Sequence, residues 1–188
     1  LAIAVVGMAG NAMAQSEIKI GEINSYSLLP AFTEPYRKGW QLAVEEINAA
    51  GGIGGQKLEF VVEDDKCDPA TGASAAQKLV NVDKVKIVFG SACSGATLAA
   101  APIFEESKTL MISPGAESPD VSQAGDYIFR TVPSGGGQAS AAALYAYETL
   151  KARKAGVITG QTDYAQGLRK VFEKEFTTRG GTIVASEV

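Results

Sequence analysis

Three segments carry the residue types from which chemistry is built. They are Phe89-Gly90-Ser91-Ala92-Cys93-Ser94-Gly95, Ser113-Pro114-Gly115-Ala116-Glu117-Ser118-Pro119, and the acidic run Glu63-Asp64-Asp65 just before Cys67. A serine or thiol nucleophile needs a base to take its proton, and the 188-residue sequence contains no histidine. That excludes Ser-His-Asp and Cys-His catalysis and His-ligated zinc. No Ser-x-x-Lys follows Ser91 or Ser94, and Gly135-Gly136-Gly137 has no Lys-Ser/Thr after it, so it is not a Walker phosphate loop. The three carboxylates are of the type that binds Mg²⁺, but they read more simply as a solvated acidic turn. Two cysteines without histidine do not complete a four-ligand zinc site. The residues call for no reaction, metal or cofactor.

What remains is recognition chemistry. Ser94 stands where a helix is expected to begin and offers a hydroxyl beside backbone N–H groups that have no helical partner, a place for a carboxylate or another anion. A plain helix cap accounts for the same serine. Glu117 is the one charge in a loop of small residues, equally consistent with a ligand contact or a solvated side chain. In a third loop, Gly160-Gln161-Thr162-Asp163-Tyr164, Asp163 suits a helix cap, and Tyr164 either projects into a cleft or packs.

These loops are positioned by an alternation of strand and helix signals. Strands are expected at 18–23, 58–62, 85–89, 110–112, 127–130, 155–159 and from 182 onward. Helices are expected from Thr33-Glu34-Pro35 to about 49, and over 70–82, 94–106, 138–150 and 164–178. This order implies an α/β fold with parallel sheets and helices on both faces. The stretch 132–137, rich in small residues, reads as a crossing between domains. In such sheets ligands lie beyond the carboxyl ends of the strands, where the three loops fall.

Composition narrows the class further. With 46% hydrophobic residues and a net charge of −4 from 17 basic and 21 acidic side chains, the chain is ordinary globular protein without a basic patch for nucleic acid. Its first residues, LAIAVVGMAGNA, are apolar and lead to Ala12-Met13-Ala14, small residues suited to a signal-peptidase site before Gln15. Residues 1–14 are therefore expected to be part of a signal peptide and the mature chain to be exported. In an oxidising compartment Cys67 and Cys93 are expected to pair, with two free buried thiols as the alternative.

The stretches GWQLAVEEINAAGGIGGQKLEFVVEDDKCDP, SACSG, EESKTLMISPGAESP, YIFRTVPSGGGQ and VITGQTDYAQGL resemble, in order and spacing, the periplasmic solute-binding proteins of branched-chain amino acid-type ABC transporters. The resemblance covers residues 18–168. It implies the type I periplasmic-binding-protein fold, two Rossmann-like parallel-sheet lobes joined by a hinge. Residues 15–132 would then be lobe one and 133–188 the beginning of lobe two. It further implies an extracytoplasmic subunit that closes on a small organic solute (an amino acid, an amide or a carboxylic or aromatic acid) and delivers it to permease subunits in the inner membrane. Such a subunit is periplasmic, monomeric, free of cofactors and not an enzyme. By the same resemblance Ser94 matches the serine that holds the ligand carboxylate, Ala116 a residue whose backbone touches the ligand, Tyr164 a cleft tyrosine from the second lobe, and Phe32 lies near a pocket aromatic. Glu117 falls where those binders usually carry threonine, and Cys67 and Cys93 match the family's disulfide positions. A ligand-sensing receptor domain of the same fold is the alternative function.

Overall fold

The computed structural model describes residues 17–188, and the expected signal peptide at 1–14 lies outside them. Strand β1 (Ile18–Asn24) is buried from Ile20 onward, on both faces. Its Gly21 leaves no room for a side chain, since a Cβ there would stand 3.0 Å from Leu79 and Val88. Parallel strands β2 (Leu58–Asp64) and β3 (Ile87–Gly90) flank it, followed outward by β4 (Leu110–Ser113) and β5 (Ile128–Arg130). The order is β2-β1-β3-β4-β5, with every pairing parallel. The chain thus runs outward in opposite directions from the β1/β3 boundary, the arrangement that opens a crevice at the carboxyl edge.

One face of the sheet is covered by α2 (Pro69–Asn81) and α3 (Ser94–Ser107) over the main core of Ile23, Leu79, Val85, Val88, Phe104 and Met111. The two helices approach closely because Gly72 lies against Ala96, where a Cβ would come within 2.9 Å. The other face carries α1 (Pro30–Ala49), whose Trp40 packs on Phe60 and Phe89 with ring centroids 6.3 and 5.3 Å away.

Over 131–134 the chain leaves this sheet for a second layer. Helix α4 (Gly135–Leu144), continued by a wide π-type turn at Tyr145–Thr149, packs with α5 (Asp163–Thr178) beside the parallel pair β6 (Lys154–Ile158) and β7 (Thr182–Glu187).

Three helix starts differ from the sequence expectation. Helix α1 begins at Pro30, one turn before Thr33, because proline fits a first helical turn. Thr33 is buried inside that turn, its hydroxyl donating to the Leu29 carbonyl at 3.0 Å. Helix α4 begins at Gly135, not Gln138. The Ser134 hydroxyl accepts the Gly136 N–H at 3.2 Å, so the glycines expected to form the domain crossing make the first helical turn instead. The helix after β6 is capped by Thr162, whose Oγ1 accepts the Ala165 N–H at 3.2 Å. Asp163 is thereby its first residue and not its cap.

Candidate functional site

All five strands of the first sheet end on the same side, and the loops after β2, β3 and β4 build the floor of a cleft. Gly90 closes β3 at φ +119°, so near β1 that a Cβ would overlap the Ile23 carbonyl oxygen. Only glycine fits there. Beyond it the Ser91 carbonyl accepts two hydroxyls, Ser113 Oγ at 2.6 Å and Thr97 Oγ1 at 3.2 Å. Ser113 Oγ in turn accepts the Ala116 N–H at 2.9 Å. The end of β3, the start of α3 and the loop after β4 are thus tied by polar contacts shielded from water. Such contacts hold a geometry more firmly than solvated ones.

Ser94 takes part in this network in an unexpected way. The cap position of α3 is Cys93, which makes no side-chain cap bond, and Ser94 is the first helical residue. Its hydroxyl accepts the Ser118 N–H at 3.0 Å and so pins the loop after β4 to the helix start. Cys93 is bridged to Cys67, with Cα atoms 5.4 Å apart. The bridge fixes α3 to the turn that precedes α2, as pairing in an oxidising compartment predicts. No cysteine among the described residues is free.

Within the acidic run before Cys67, Glu63 and Asp64 end β2 with partial access to solvent, and Asp65 departs from the solvated turn expected from sequence. Asp65 is fully buried, accepting the Cys67 N–H at 2.8 Å and the Ser25 hydroxyl, while Ser25 Oγ also lies 3.3 Å from Cys93 Sγ. Its carboxylate organises the left-handed pair Lys66 and Cys67, at φ 54° and 56°. Asn24, also buried, accepts the Ala92 N–H at 3.1 Å. Asp68 caps α2 through Thr71, whose hydroxyl and N–H hold its pKa below the ordinary carboxylate value. Neither Asn24 nor Asp65 was singled out as a site residue from sequence. A polar residue ending an apolar strand is the signal that marks Asn24, and Asp65 stands in the acidic run after β2, where sequence alone reads it as solvated.

Above this floor the first turn of α5 supplies the opposite wall. The space between, about 500 Å³, is lined by Cys93, Ser94, Gly95, Gly115 and Glu117 on one side and by Gln161 to Tyr164 on the other. That size suits a small organic molecule. Of the expected contact residues, Ser94, Glu117 and Tyr164 meet at this cleft. Ala116 and Phe32 are not among the lining residues. Ala116 is fully buried, with its carbonyl accepting from Arg130 at 3.2 Å. Phe32 is 52% exposed and packs edge-on against Tyr36 within α1.

The charges of the cleft are one-sided. Glu117 accepts the Gln138 side-chain N–H at 3.3 Å. Asp163 Oδ2 lies so close to α3 that a Cβ on Gly95 would stand 2.7 Å from it. Among the described residues no group that could hold a metal ion is found.

The periplasmic binding protein family matches residues 17–188. The chain belongs to that family. It is 34% identical to the leucine-, isoleucine-, valine-, threonine- and alanine-binding protein of Pseudomonas aeruginosa, over 99% of this chain and 50% of that one. A leucine binding protein from Thermotoga maritima matches in structure at a TM-score of 0.78 and 31% identity, over 91% of this chain and 49% of the other. The branched-chain amino acid transporter substrate binding protein of Streptococcus pneumoniae, solved with isoleucine, matches at 0.74 and 38%, over 92% and 49%. The α/β fold with its five-stranded parallel sheet is that of half a type I periplasmic binding protein, and the family is one of binding proteins rather than enzymes. The chain spans about half the length of these relatives.

Proposed function

We propose that this chain is lobe one (15–132) and the beginning of lobe two (133–188) of a periplasmic substrate-binding subunit of an ABC importer. The subunit captures a small organic solute, an amino acid, an amide or a small carboxylic or aromatic acid, and presents it to permease subunits in the inner membrane. The observation that carries this reading is the cleft of about 500 Å³ with Ser94 and Glu117 on one wall and Tyr164 on the other. A ligand held by both walls draws them together, and closure strips water from its polar contacts and strengthens them. No side chain in the cleft needs to react. The amino-acid ligands named for the relatives support the solute class.

The test is a thermal-shift screen of the full-length protein against amino acids, amides and aromatic acids, repeated with Tyr164→Ala. A solute that raises the midpoint of the wild type, with a response lost in the variant, is the expected result. Equal response in both proteins would place the solute outside this cleft, and no response to any member would refute the solute-binding role.

A further inference from the structure

Resting on the cleft as the solute site, we infer that the Cys67–Cys93 bridge is a redox-sensitive wall of that site. Solute binds the bridged protein more tightly than the reduced one, and a bound solute shields the bridge from a dithiol reductant. Both cysteines line the cleft. Cys67 stands in the turn after β2 and Cys93 at the cap of α3, so one covalent link joins two of the loops that form the floor. From it the packing runs to the loop that carries Glu117. A Cβ on Gly115 would stand 3.1 Å from the Cα of Ala92, the neighbour of Cys93, and Ser94 holds the Ser118 N–H at 3.0 Å. On the other side, Gly95 of α3 meets Pro69 of α2 so closely that a Cβ would come within 3.3 Å. Cutting the link lets the loops after β2 and β3 move apart and releases Ser94 from its place in the wall.

The two sulfurs have different surroundings. Cys93 is buried and Cys67 is more open. A thiolate of the dithiol therefore attacks Cys67 Sγ from the cleft, the S–S bond breaks, and its electron pair leaves on Cys93. The reagent's second thiol then displaces Cys67 from the mixed disulfide. Two electrons and two protons pass to the cysteines, and the reagent closes into a cyclic disulfide. Cys93 is a poor leaving group. Ser25 Oγ lies 3.3 Å from its sulfur, but the hydroxyl proton goes to Asp65, which is fully buried and whose Oδ2 has no hydrogen-bond partner among the described residues. A thiolate on Cys93 gains no donor from Ser25 and stands near a carboxylate, and like charges away from water repel. Asp65 thus slows reduction, while solute blocks the approach to Cys67. Binding and reduction are linked: the factor by which reduction weakens solute binding is the factor by which solute disfavours reduction. A factor of about ten lowers the bridge's reduction potential by about 30 mV at saturating solute.

The experiment uses full-length protein, with leucine, isoleucine, benzamide and benzoate as probes. Calorimetry compares the bridged protein with the double variant Cys67→Ala, Cys93→Ala, in sucrose to favour the folded variant and with circular dichroism to check it. The variant is expected to bind about tenfold more weakly. Reduction of the bridge by dithiothreitol is followed by mass after thiol alkylation. Its rate should be first order in reagent and about tenfold slower when about nine-tenths of the sites are occupied. In Asp65→Asn it should be about tenfold faster. Equal affinity in the bridged and bridgeless proteins overturns the coupling. A reduction rate unmoved by solute, or independent of dithiothreitol concentration, overturns the shielding, and it does so without requiring the double variant to fold. An unchanged rate in Asp65→Asn removes Asp65 as the cause of slow reduction. Binding of no probe by the bridged protein refutes the solute site itself rather than the part the bridge plays in it.

Discussion

Glu22 offers the sharpest test of how the sheet is built. It sits in the middle of β1, between Val62 of β2 and Phe89 of β3, only 2% exposed, and its Oε1 has no hydrogen-bond partner. Burial pushes its pKa from 4.5 up to about 7, against the opposing pull of Arg37, while Glu34 adds to the rise. The folded protein therefore holds a proton that the unfolded chain releases at about pH 4.5, so the folded form is disfavoured progressively as pH climbs from there through 7. At about 1.4 kcal/mol per unit, the shift corresponds to at most about 3 kcal/mol lost by pH 8. Glu22→Gln keeps the shape and abolishes the titration, and Arg37 retains Glu34 at 3.4 Å. Urea unfolding of both proteins from pH 4.5 to 8 should give similar stabilities at the acid end and an advantage to the glutamine variant that grows towards pH 8. A variant less stable than wild type at pH 8, or a difference that does not change with pH, would refute the reasoning.

Three further outcomes are expected. Replacing both Cys67 and Cys93 by alanine frees a 26-residue loop and should cost about 3 kcal/mol in unfolding free energy; an unchanged denaturation midpoint would mean the bridge constrains nothing. Ser94→Ala strands the buried N–H of Ser118 and should cost about 1–3 kcal/mol in urea unfolding, whereas a loss near zero would show that the loop finds another acceptor. Gly167 lies where a Cβ would meet Pro119 at 2.8 Å and Ser118 Oγ at 2.9 Å, so Gly167→Val should push α5 off the first layer and weaken solute binding by about tenfold or more; calorimetry showing wild-type affinity would mean that this contact does not set the cleft.

Much of the fold was legible because it is written in local periods. The apolar residues of β1 and the helical spacing of Trp40, Ala43, Val44 and Ile47 in α1 depend only on near neighbours in the chain. The pairing of Cys67 with Cys93 was legible as well, since an even count beside an expected signal peptide favours a bridge over two free thiols. Residues that meet at the cleft were found one loop at a time, because each follows a parallel strand and parallel strands end together.

Tertiary structure decided which of two adjacent polar residues does which task. Thr162 and Asp163 both suit a helix cap, and so does Ser94. The threonine takes one cap, which leaves the aspartate to face α3, while Ser94 serves Ser118, 24 residues away. The burial of Glu22 and Asp65 was likewise invisible, because a carboxylate in a strand or a turn reads as solvated until the elements packed against it are known. Local pattern fixes where a chain extends or coils through interactions within a few residues. Whether a given hydroxyl or carboxylate meets water, a backbone N–H or a ligand is set by groups that only folding brings within hydrogen-bond reach.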